Sequence, residues 1–142
     1  MASTWPSENF SFLMGKVTEL TRIQWDDGTT SALIDLATRK RVIGKDGTWI
    51  TGWDFHQVEV SPGEQVFKTV WPGAIIRARG EMDSYPWRPS GAKRDVRLHC
   101  LIARGFQVIL DSDKARTMPK TILRSRKTRA ERMSAGHTED NE

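Results

Sequence analysis

The chain has 142 residues and a mass of 16.2 kDa, which is the size of one domain with tails and excludes a large two-domain enzyme. Hydrophobic residues make up 37% of the chain, so a chain that is disordered throughout is excluded as well. There are 22 Lys and Arg against 18 Asp and Glu, and the six Trp are a surplus. This balance is compatible with nucleic-acid binding but does not establish it.

Cys100 is the single cysteine, which excludes an intramolecular disulfide and a cysteine-based zinc site and fits a reducing compartment. Its place in the apolar run 98–102 predicts a small buried side chain. No stretch approaches 18 consecutive apolar residues, so no membrane span is predicted. The first 14 residues lack the basic and sustained apolar regions of a signal peptide, and we expect a cytoplasmic protein.

Composition divides the chain into three parts: a flexible arm at residues 1–14, a domain at 15–110 that holds nearly all the apolar periodicity, and a flexible tail at 111–142. Between residues 114 and 132 the tail carries eight Lys and Arg against Glu131 alone, and its end is acidic. Without a sustained apolar face, this tail is expected to be disordered or a marginal helix.

The domain is predicted to be all-β. Asp-Gly and Gly-rich turn signals separate its segments, and five of them resemble strands. These are residues 15–23, 30–38, 48–60, 74–82 and 96–110, the last with a bulge at Gly105. A short helix is expected at 64–71, a basic loop at 39–41 and a long loop at 83–95. Five strands with one helix between the third and fourth predict an OB-fold, a five-stranded Greek-key barrel.

The third strand carries the most informative pattern, because period-two spacing places three aromatic residues on one face. The residues of this face are Trp49, Thr51, Trp53 and Phe55. Nucleic-acid bases stack on such rings without sequence preference, at about 1–3 kcal/mol each. Alternatively the rings belong to the core, although Ile50, Val58 and Val60 on the opposite face could fill it instead. A bulge near Gly52 would re-sort the two faces.

Basic residues on other segments fit a path for phosphates. Arg77 and Arg79 share one face of the fourth strand, which suits phosphate contacts or a merely solvated face. The loop at 83–95 offers Trp87 beside Arg88 for clamping a single strand, unless that ring packs over the barrel. Further positive charge comes from Lys93, Arg94, Arg39, Lys40, Arg41 and Lys45.

Catalysis is poorly supported. His56 and Asp54 share a strand face, but no candidate nucleophile accompanies them, and the chain contains no phosphate-binding loop, zinc-protease or hydrolase motif. His99 beside Cys100 has no further metal ligands in register. We therefore expect no enzyme activity, no cofactor and no metal site.

Several short segments of the chain occur in the same order and at similar spacings as in a known protein family. They are Gly15-Lys16-Val17, Ile34-Asp35-Leu36-Ala37-Thr38, Lys45-Asp46-Gly47-Thr48-Trp49, Phe55-His56-Gln57-Val58, Pro72-Gly73-Ala74, Gly80 with Trp87, and Ser90-Gly91 with Arg94. In this ordered set the chain resembles the bacterial and phage single-stranded DNA-binding protein family. The resemblance implies an OB-fold that forms a homotetramer or homodimer and wraps single-stranded DNA during replication, recombination and repair.

The resemblance also implies roles for particular positions. Phe55 and Trp87 correspond to base-stacking residues of the family. The first strand, over residues 16–23, would pair subunits, and the family histidine near the subunit interface corresponds to His56. The implied interface residues are Lys16, Val17 and His56.

The chain departs from the family at several positions. Val42 and Ser61 stand where the family has aromatic residues, for which Trp49 and Trp53 could compensate. The acidic end lacks the terminal Pro-Phe pair that recruits partner enzymes, so the usual route to DNA-metabolism proteins is in doubt, although the tail remains a candidate contact for them. These departures are typical of a divergent member encoded by a plasmid, phage or other element.

The sequence therefore predicts a non-enzymatic, sequence-independent single-stranded DNA-binding protein of the cytoplasm and nucleoid. Its predicted nucleic-acid-binding residues are Trp49, Trp53, Phe55, Trp87, Arg39, Arg41, Lys45, Arg77, Arg79, Arg88 and Arg94. One alternative is an OB-fold interaction or replication accessory module with weak DNA or RNA binding, and another is an RNA-binding protein. A nuclease is least favoured, because the chain offers no carboxylate–arginine metal site.

Overall fold

The computed structural model describes residues 7–87, 91, 93–94 and 96–126. Within them it has six strands and one helix. The strands are β1 (Ser11–Trp25), β2 (Thr30–Ile43), β3 (Trp49–Val60), β4 (Ile75–Trp87), β5 (Val96–Leu110) and β6 (Lys120–Arg124), and helix α1 is Glu64–Thr69. The first strand begins four residues before the predicted one.

Five strands close into a barrel because β1 changes partner along its length. Its first part pairs with β4, and from Lys16 onward it pairs with β2, so the ring runs β1-β2-β3-β5-β4 and returns to β1. The change of partner requires Gly15, since a Cβ there would lie 2.4 Å from the carbonyl oxygen of Ala37. The predicted five-stranded OB-fold barrel is confirmed.

The barrel interior follows from strand alternation, because alternate apolar side chains on each strand point inward. Helix α1 lies between β3 and β4, as predicted. Its Val66 and Phe67 are also buried, so the helix adds to the same core. The buried core comprises Val17, Leu20, Ala32, Ile34, Leu36, Val58, Val60, Val66, Phe67, Val70, Ala74, Ile76, Ala78 and Leu101. Among the described residues, no helix is long and apolar enough to cross a membrane.

The β2–β3 hairpin extends beyond the barrel. Pairing of β2 with β1 ends at Ala37, and β3 pairs with β5 only at residues 57–59. In contrast, β2 and β3 pair with each other without interruption, from Ala32 opposite Val60 to Ile43 opposite Trp49. Residues 38–55 therefore form a two-stranded ribbon that no third strand joins in the part of the chain that the structure describes. The prediction of a basic loop at 39–41 was wrong, since these residues belong to β2.

Strands β4 and β5 form the longest antiparallel pair. Their pairing runs from Ile75 opposite Leu110 to Trp87 opposite Val96, so the first part of the predicted 83–95 loop is strand. The register shifts where Arg79 and Gly80 face Gly105 and the residues before it, which confirms the predicted bulge. Cys100 is buried, as predicted.

The chain after β5 does not leave the domain at once. Residues 111–126 contact helix α1, where the Arg116 guanidinium donates a hydrogen bond to the carbonyl of Phe67. They end beside β1, where β6 pairs in parallel with residues 21–25. The indole of Trp71 donates a hydrogen bond to the carbonyl of Lys114 at 3.1 Å, and the Arg126 guanidinium lies 4.1 Å from the ring centre of Trp25. The sequence prediction of a flexible tail from residue 111 did not include this strand. Residues 127–142 lie outside the described part.

Candidate nucleic-acid interface

The outward face of the hairpin carries the aromatic residues that the sequence pattern grouped. Val58 and Val60 point into the barrel, so the odd-numbered residues of β3 point away from it. Trp49, Trp53 and Phe55 are 57%, 51% and 72% exposed. We call this face the hairpin surface; its residues are Arg39, Arg41, Trp49, Thr51, Trp53 and Phe55.

The alternative that these rings fill the core is therefore wrong. The register between β2 and β3 has no shift, so no bulge near Gly52 re-sorts the faces. The opposite face supplies the core through Val58 and Val60, but Ile50 is itself exposed, because it lies on the ribbon past the end of the barrel. Aromatic rings that a folded chain leaves in water are available to stack on a ligand.

Two arginines of β2 lie over the tryptophans of β3. Arg39 is directly opposite Trp53, and its guanidinium carbon is 5.9 Å from that ring centre. The guanidinium of Arg41 is 4.8 Å from the ring centre of Trp49. Planar guanidinium groups bind phosphate oxygens in a bidentate manner, so each pair combines a base-stacking ring with a phosphate donor.

On the inward face of the same ribbon, the positive charge of Lys40 is neutralised by a carboxylate of the ribbon itself. The Lys40 ammonium donates a hydrogen bond to the Asp54 carboxylate at 2.6 Å and forms an ion pair with it. A ring nitrogen of His56 lies 3.1 Å from the hydroxyl of Thr38, which holds this imidazole against the neighbouring strand. Among the described residues, positive charge without a carboxylate partner is thus concentrated on the outward face of the ribbon.

The hairpin tip is held by its own turn. Thr48 donates hydrogen bonds from its amide and hydroxyl to the Asp46 carboxylate at 3.1 and 2.6 Å, and Gly47 takes the positive φ of +82° that the turn needs. The hydroxyl bond from Thr48, followed by its amide bond, lowers the pKa of Asp46. Lys45 is exposed at this tip, at the end of the hairpin surface.

Arg77 and Arg79 do not join the hairpin surface. Both are exposed on the outer face of β4, and β4 lies two strands from both β2 and β3 around the ring. The centre of the β2–β3 pair is thus on the other side of the barrel from β4. The two arginines instead lie near Phe12 of β1, with the Arg77 guanidinium 4.8 Å from that ring centre.

The loop residues of the prediction are placed only in part. Trp87 ends β4, but its side chain is outside the described part of the structure, and so is Arg88. Arg94 is described and is exposed. The assignment of Trp87, Arg88 and Arg94 to the interface stays a prediction.

The implied subunit-interface residues differ in how accessible they are to a second subunit. Val17 is 1% exposed and packs in the core of its own chain, so its side chain is not available to a second subunit. Lys16 is exposed, but its backbone is paired with both Ala37 and Ile75. Over residues 16–24 one edge of β1 is occupied by β2, which leaves less free backbone than pairing of subunits through 16–23 would require.

Sequence reasoning missed an exposed apolar row at the start of β1, with Phe10 just before the strand. Phe10, Phe12 and Met14 are all more than half exposed, and the rings of Phe10 and Phe12 meet edge to face at 4.8 Å between centres. Their spacing of two was visible in the sequence but fell in the segment taken for a flexible arm. In the described parts of the chain, no group of three or more His, Cys, Asp or Glu side chains is placed to hold a metal ion.

Comparison with known proteins was made at the level of both sequence and structure. No family model matches the chain, and no curated protein matches it. Solved structures do match: the Plasmodium falciparum SSB complex with ssDNA has a TM-score of 0.60 at 18% identity, over 76% of this chain and 98% of that one. The small single-stranded DNA-binding protein from Streptomyces coelicolor has a TM-score of 0.57 at 16% identity, over 72% and 95%.

A third match is a deletion mutant of the single-stranded DNA-binding protein from Thermus aquaticus, with a TM-score of 0.57 at 18% identity. The match covers 72% of this chain and half of that one. At these identities the likeness establishes the fold. The chain therefore shares the barrel fold of these three single-stranded DNA-binding proteins.

Proposed function

We propose that this protein binds single-stranded DNA without sequence preference and without catalysis, and that the hairpin surface is its principal contact. The observation that carries the proposal is the row of three exposed rings on one face of a protruding ribbon, with arginines over two of them. The three solved structures of the same fold are all named as single-stranded DNA-binding proteins, which supports the same ligand.

On binding, DNA would replace the arginine–tryptophan contacts of the ribbon. Bases stack on Trp49, Trp53 and Phe55, and the guanidinium groups of Arg39 and Arg41 turn from the rings to the phosphates between those bases. Every base has a π face, so such contacts do not select a sequence. Lys45 at the tip extends the phosphate contacts in the same direction.

The role in the cell follows from the ligand. A protein that covers exposed single strands would serve in replication, recombination or repair, in the nucleoid of the cytoplasm. Its tail would then be the segment available to other DNA-metabolism proteins.

The direct test is a titration with oligo(dT) of about 35 nucleotides, a length that exceeds the site of about 4–16 nucleotides on one OB-fold. Intrinsic tryptophan fluorescence should be quenched strongly, because Trp49 and Trp53 stack on bases. The complex should weaken as salt rises. Absence of binding and of quenching at low salt would contradict the proposal and favour a protein-interaction module. Equal or tighter binding of oligo(rU) would assign the site to RNA.

The salt dependence of DNA binding should reveal the phosphate contacts of Arg39 and Arg41. Each phosphate contact on a single strand contributes about −0.7 to the slope of log K against log salt, so Arg39→Gln with Arg41→Gln should reduce its magnitude by about 1.4. Lys40→Gln is the matched control, because that ammonium is held by Asp54 on the opposite face. A slope that changes as much for the control as for the arginine pair would contradict the assignment.

We also infer that the chain forms a homo-oligomer through the first part of β1. Residues 11–15 bond to β4 on one edge, and within the described chain no strand pairs with their other edge, since β2 begins to pair at Lys16. A free strand edge beside exposed Phe10 and Met14 favours antiparallel pairing with a second copy.

Sedimentation should then give a mass of at least twice 16.2 kDa at micromolar concentration. Amide hydrogen exchange at residues 11–15 should slow as the protein concentration rises, since the free edge becomes paired. A mass of 16.2 kDa at every concentration would rule out the oligomer.

A further inference from the structure

Strand β6 leaves one edge of the sheet open. It pairs in parallel with residues 21–25 of β1 and is the last strand in the sheet order, and among the described residues no strand pairs with its other edge. An edge strand presents backbone amide and carbonyl groups to which a further strand can bind. We call this outer side of residues 120–124 the β6 edge.

The side chains of β6 divide between two faces. Lys120, Ile122 and Arg124 share one face, because side chains alternate along a strand, and they lie opposite residues 21, 23 and 25 of β1. Leu123 is on the other face, opposite Gln24, and is 79% exposed. A strand that pairs with the β6 edge would therefore meet two positive charges with an apolar side chain between them on one face, and an exposed leucine on the other.

The two charges of the β6 edge are available to an external carboxylate. Both side chains are exposed, and in the described parts of the chain no carboxylate forms a salt bridge with Lys120 or Arg124. The acidic residues of the neighbouring turn are already engaged with Arg126. Asp27 binds its guanidinium at 3.3 Å, and Asp26 accepts a hydrogen bond from its backbone amide at 3.2 Å.

A groove of about 490 Å³ lies at the end of the β6 edge. Leu123 and Arg124 line it from β6, and Gln24, Trp25 and Gly28 line it from β1 and the turn that follows. The volume falls within the range of about 300–1,000 Å³ that is typical of ligand pockets. An apolar side chain of a bound strand therefore has room beside Leu123.

The charges of β6 disfavour a second copy of this chain as the occupant. If two β6 strands paired in antiparallel fashion about Ile122, Lys120 of each would lie opposite Arg124 of the other. In a parallel pair, each charged residue would lie beside its own equivalent. Like charges opposite each other destabilise a sheet, whereas opposite charges stabilise it, so the edge fits an acidic strand from another protein.

We propose that the β6 edge docks an extended segment of a protein partner, with acidic residues opposite Lys120 and Arg124 and apolar residues between them. A strand added to a sheet gains affinity from main-chain hydrogen bonds, and its side chains supply the specificity. The proposal does not depend on the DNA-binding function. The start of β2 at Thr30 lies opposite Gln24, near β6, whereas its other end forms the ribbon, so the two surfaces lie at opposite ends of β2.

The test uses the full chain and a fluorescently labelled peptide, Gly-Ser-Glu-Val-Val-Val-Glu-Ser-Gly, whose two acids match the β6 charges in either strand direction. Its anisotropy should rise on binding, and amide hydrogen exchange at residues 120–124 should slow. A peptide with Lys for both Glu should bind at least about tenfold more weakly, because two attractive cross-strand pairs become repulsive. A peptide with Pro for the central Val keeps the charges but cannot complete the backbone pairing, and it should also bind weakly.

Reversal of the protein charges should exchange the preference. Lys120→Glu with Arg124→Glu should bind the Lys peptide more tightly than the Glu peptide, which also shows that the variant is folded. Arg104→Gln is the control and should retain the native preference, because that residue is paired with Glu81 and lies on β5, three places from β6 in the strand order. The affinity of the reversed variant for oligo(dT) should change by less than about threefold, since physiological salt screens charges more than about 8 Å apart.

Equal binding of the Glu, Lys and Pro peptides, or binding of none of them, would overturn the proposal. A reversed variant that loses as much affinity for oligo(dT) as for the Glu peptide would make the β6 edge a DNA contact instead. A change in sedimentation mass without a change in peptide preference would make it a contact between copies. Tighter peptide binding after Glu139→Gln, Asp140→Asn and Glu142→Gln would assign the edge to the acidic end of the chain itself, and the proposal of a protein partner would fail.

Discussion

Removal of two rings from the hairpin surface should abolish most of the affinity for single-stranded DNA and leave the fold intact. Trp53→Ala with Phe55→Ala deletes two stacking contacts of about 1–3 kcal/mol each, so the dissociation constant should rise by at least about thirtyfold. Stability should be nearly unchanged, because the two side chains are 51% and 72% exposed and contribute little to the core.

Anisotropy of a labelled oligo(dT) is the appropriate readout, since the variant removes one of the fluorescent tryptophans. Thermal melting of the same samples checks the fold. Leu123→Ala is a suitable control, because it deletes an apolar side chain that is 79% exposed on β6, away from the ribbon. Native affinity in the double variant would mean that the rings serve another partner.

The faces of β3 could be predicted from sequence because the register has no interruption. Strict period-two spacing from Trp49 to Val60 assigns each residue to a face, and the pairing with β2 preserves that assignment along the whole strand. The pattern did not show that β2 continues past the barrel. Arg39, Lys40 and Arg41 resemble a polar loop, since a ribbon exposed on both faces needs no apolar alternation.

Two strands depended on tertiary structure that the sequence does not display. β6 has five residues, only Ile122 of which is even half-buried, and it exists because its backbone completes the edge of β1. The start of β1 was missed because Phe10, Phe12 and Met14 face solvent, so their alternation marks a surface of the sheet and not a core face. Both β6 and the start of β1 are strands because their backbones pair with a neighbouring strand, and not because their side chains are buried.

The position of Arg77 and Arg79 shows a further limit. Their shared face on β4 followed from spacing, but the sequence placed them on one phosphate path with Arg39 and Arg41. The order of strands around the barrel separates the two pairs, and strand order depends on which edges meet, as where β3 pairs with β5 in parallel. Residue spacing assigns faces within a strand; only topology assigns those faces to one surface of the molecule.

Closure of the barrel should be sensitive to a single methyl group at Gly15. Gly15→Ala places a Cβ 2.4 Å from the carbonyl oxygen of Ala37, a backbone atom that cannot move without separating β1 from β2. Overpacking of this kind costs about 1–3 kcal/mol of unfolding free energy. Because the neighbouring atom is rigid, this variant should lose about 3 kcal/mol. Urea unfolding followed by fluorescence and circular dichroism measures it.

Gly52→Ala is the matched control on the ribbon. The nearest atoms to its Cβ are side-chain carbons of Lys40 at 3.4 Å, and an alanine in a strand is favoured over glycine by roughly 0.5–1 kcal/mol. Its stability should equal or slightly exceed that of the native chain. Equal loss in the two variants would mean that glycine in these strands is required for a reason other than close approach to β1.

The same pair of variants separates the role of the barrel from that of the ribbon. Gly15 lies where β1 leaves β4 for β2, whereas Trp49 and Trp53 lie past Ala37, where β1 no longer pairs with β2. Gly15→Ala should therefore lower the urea midpoint and yet bind oligo(dT) with native affinity at temperatures where it is folded. A proportional loss of affinity in the folded variant would show that the orientation of the ribbon depends on the packing of β1 against β2.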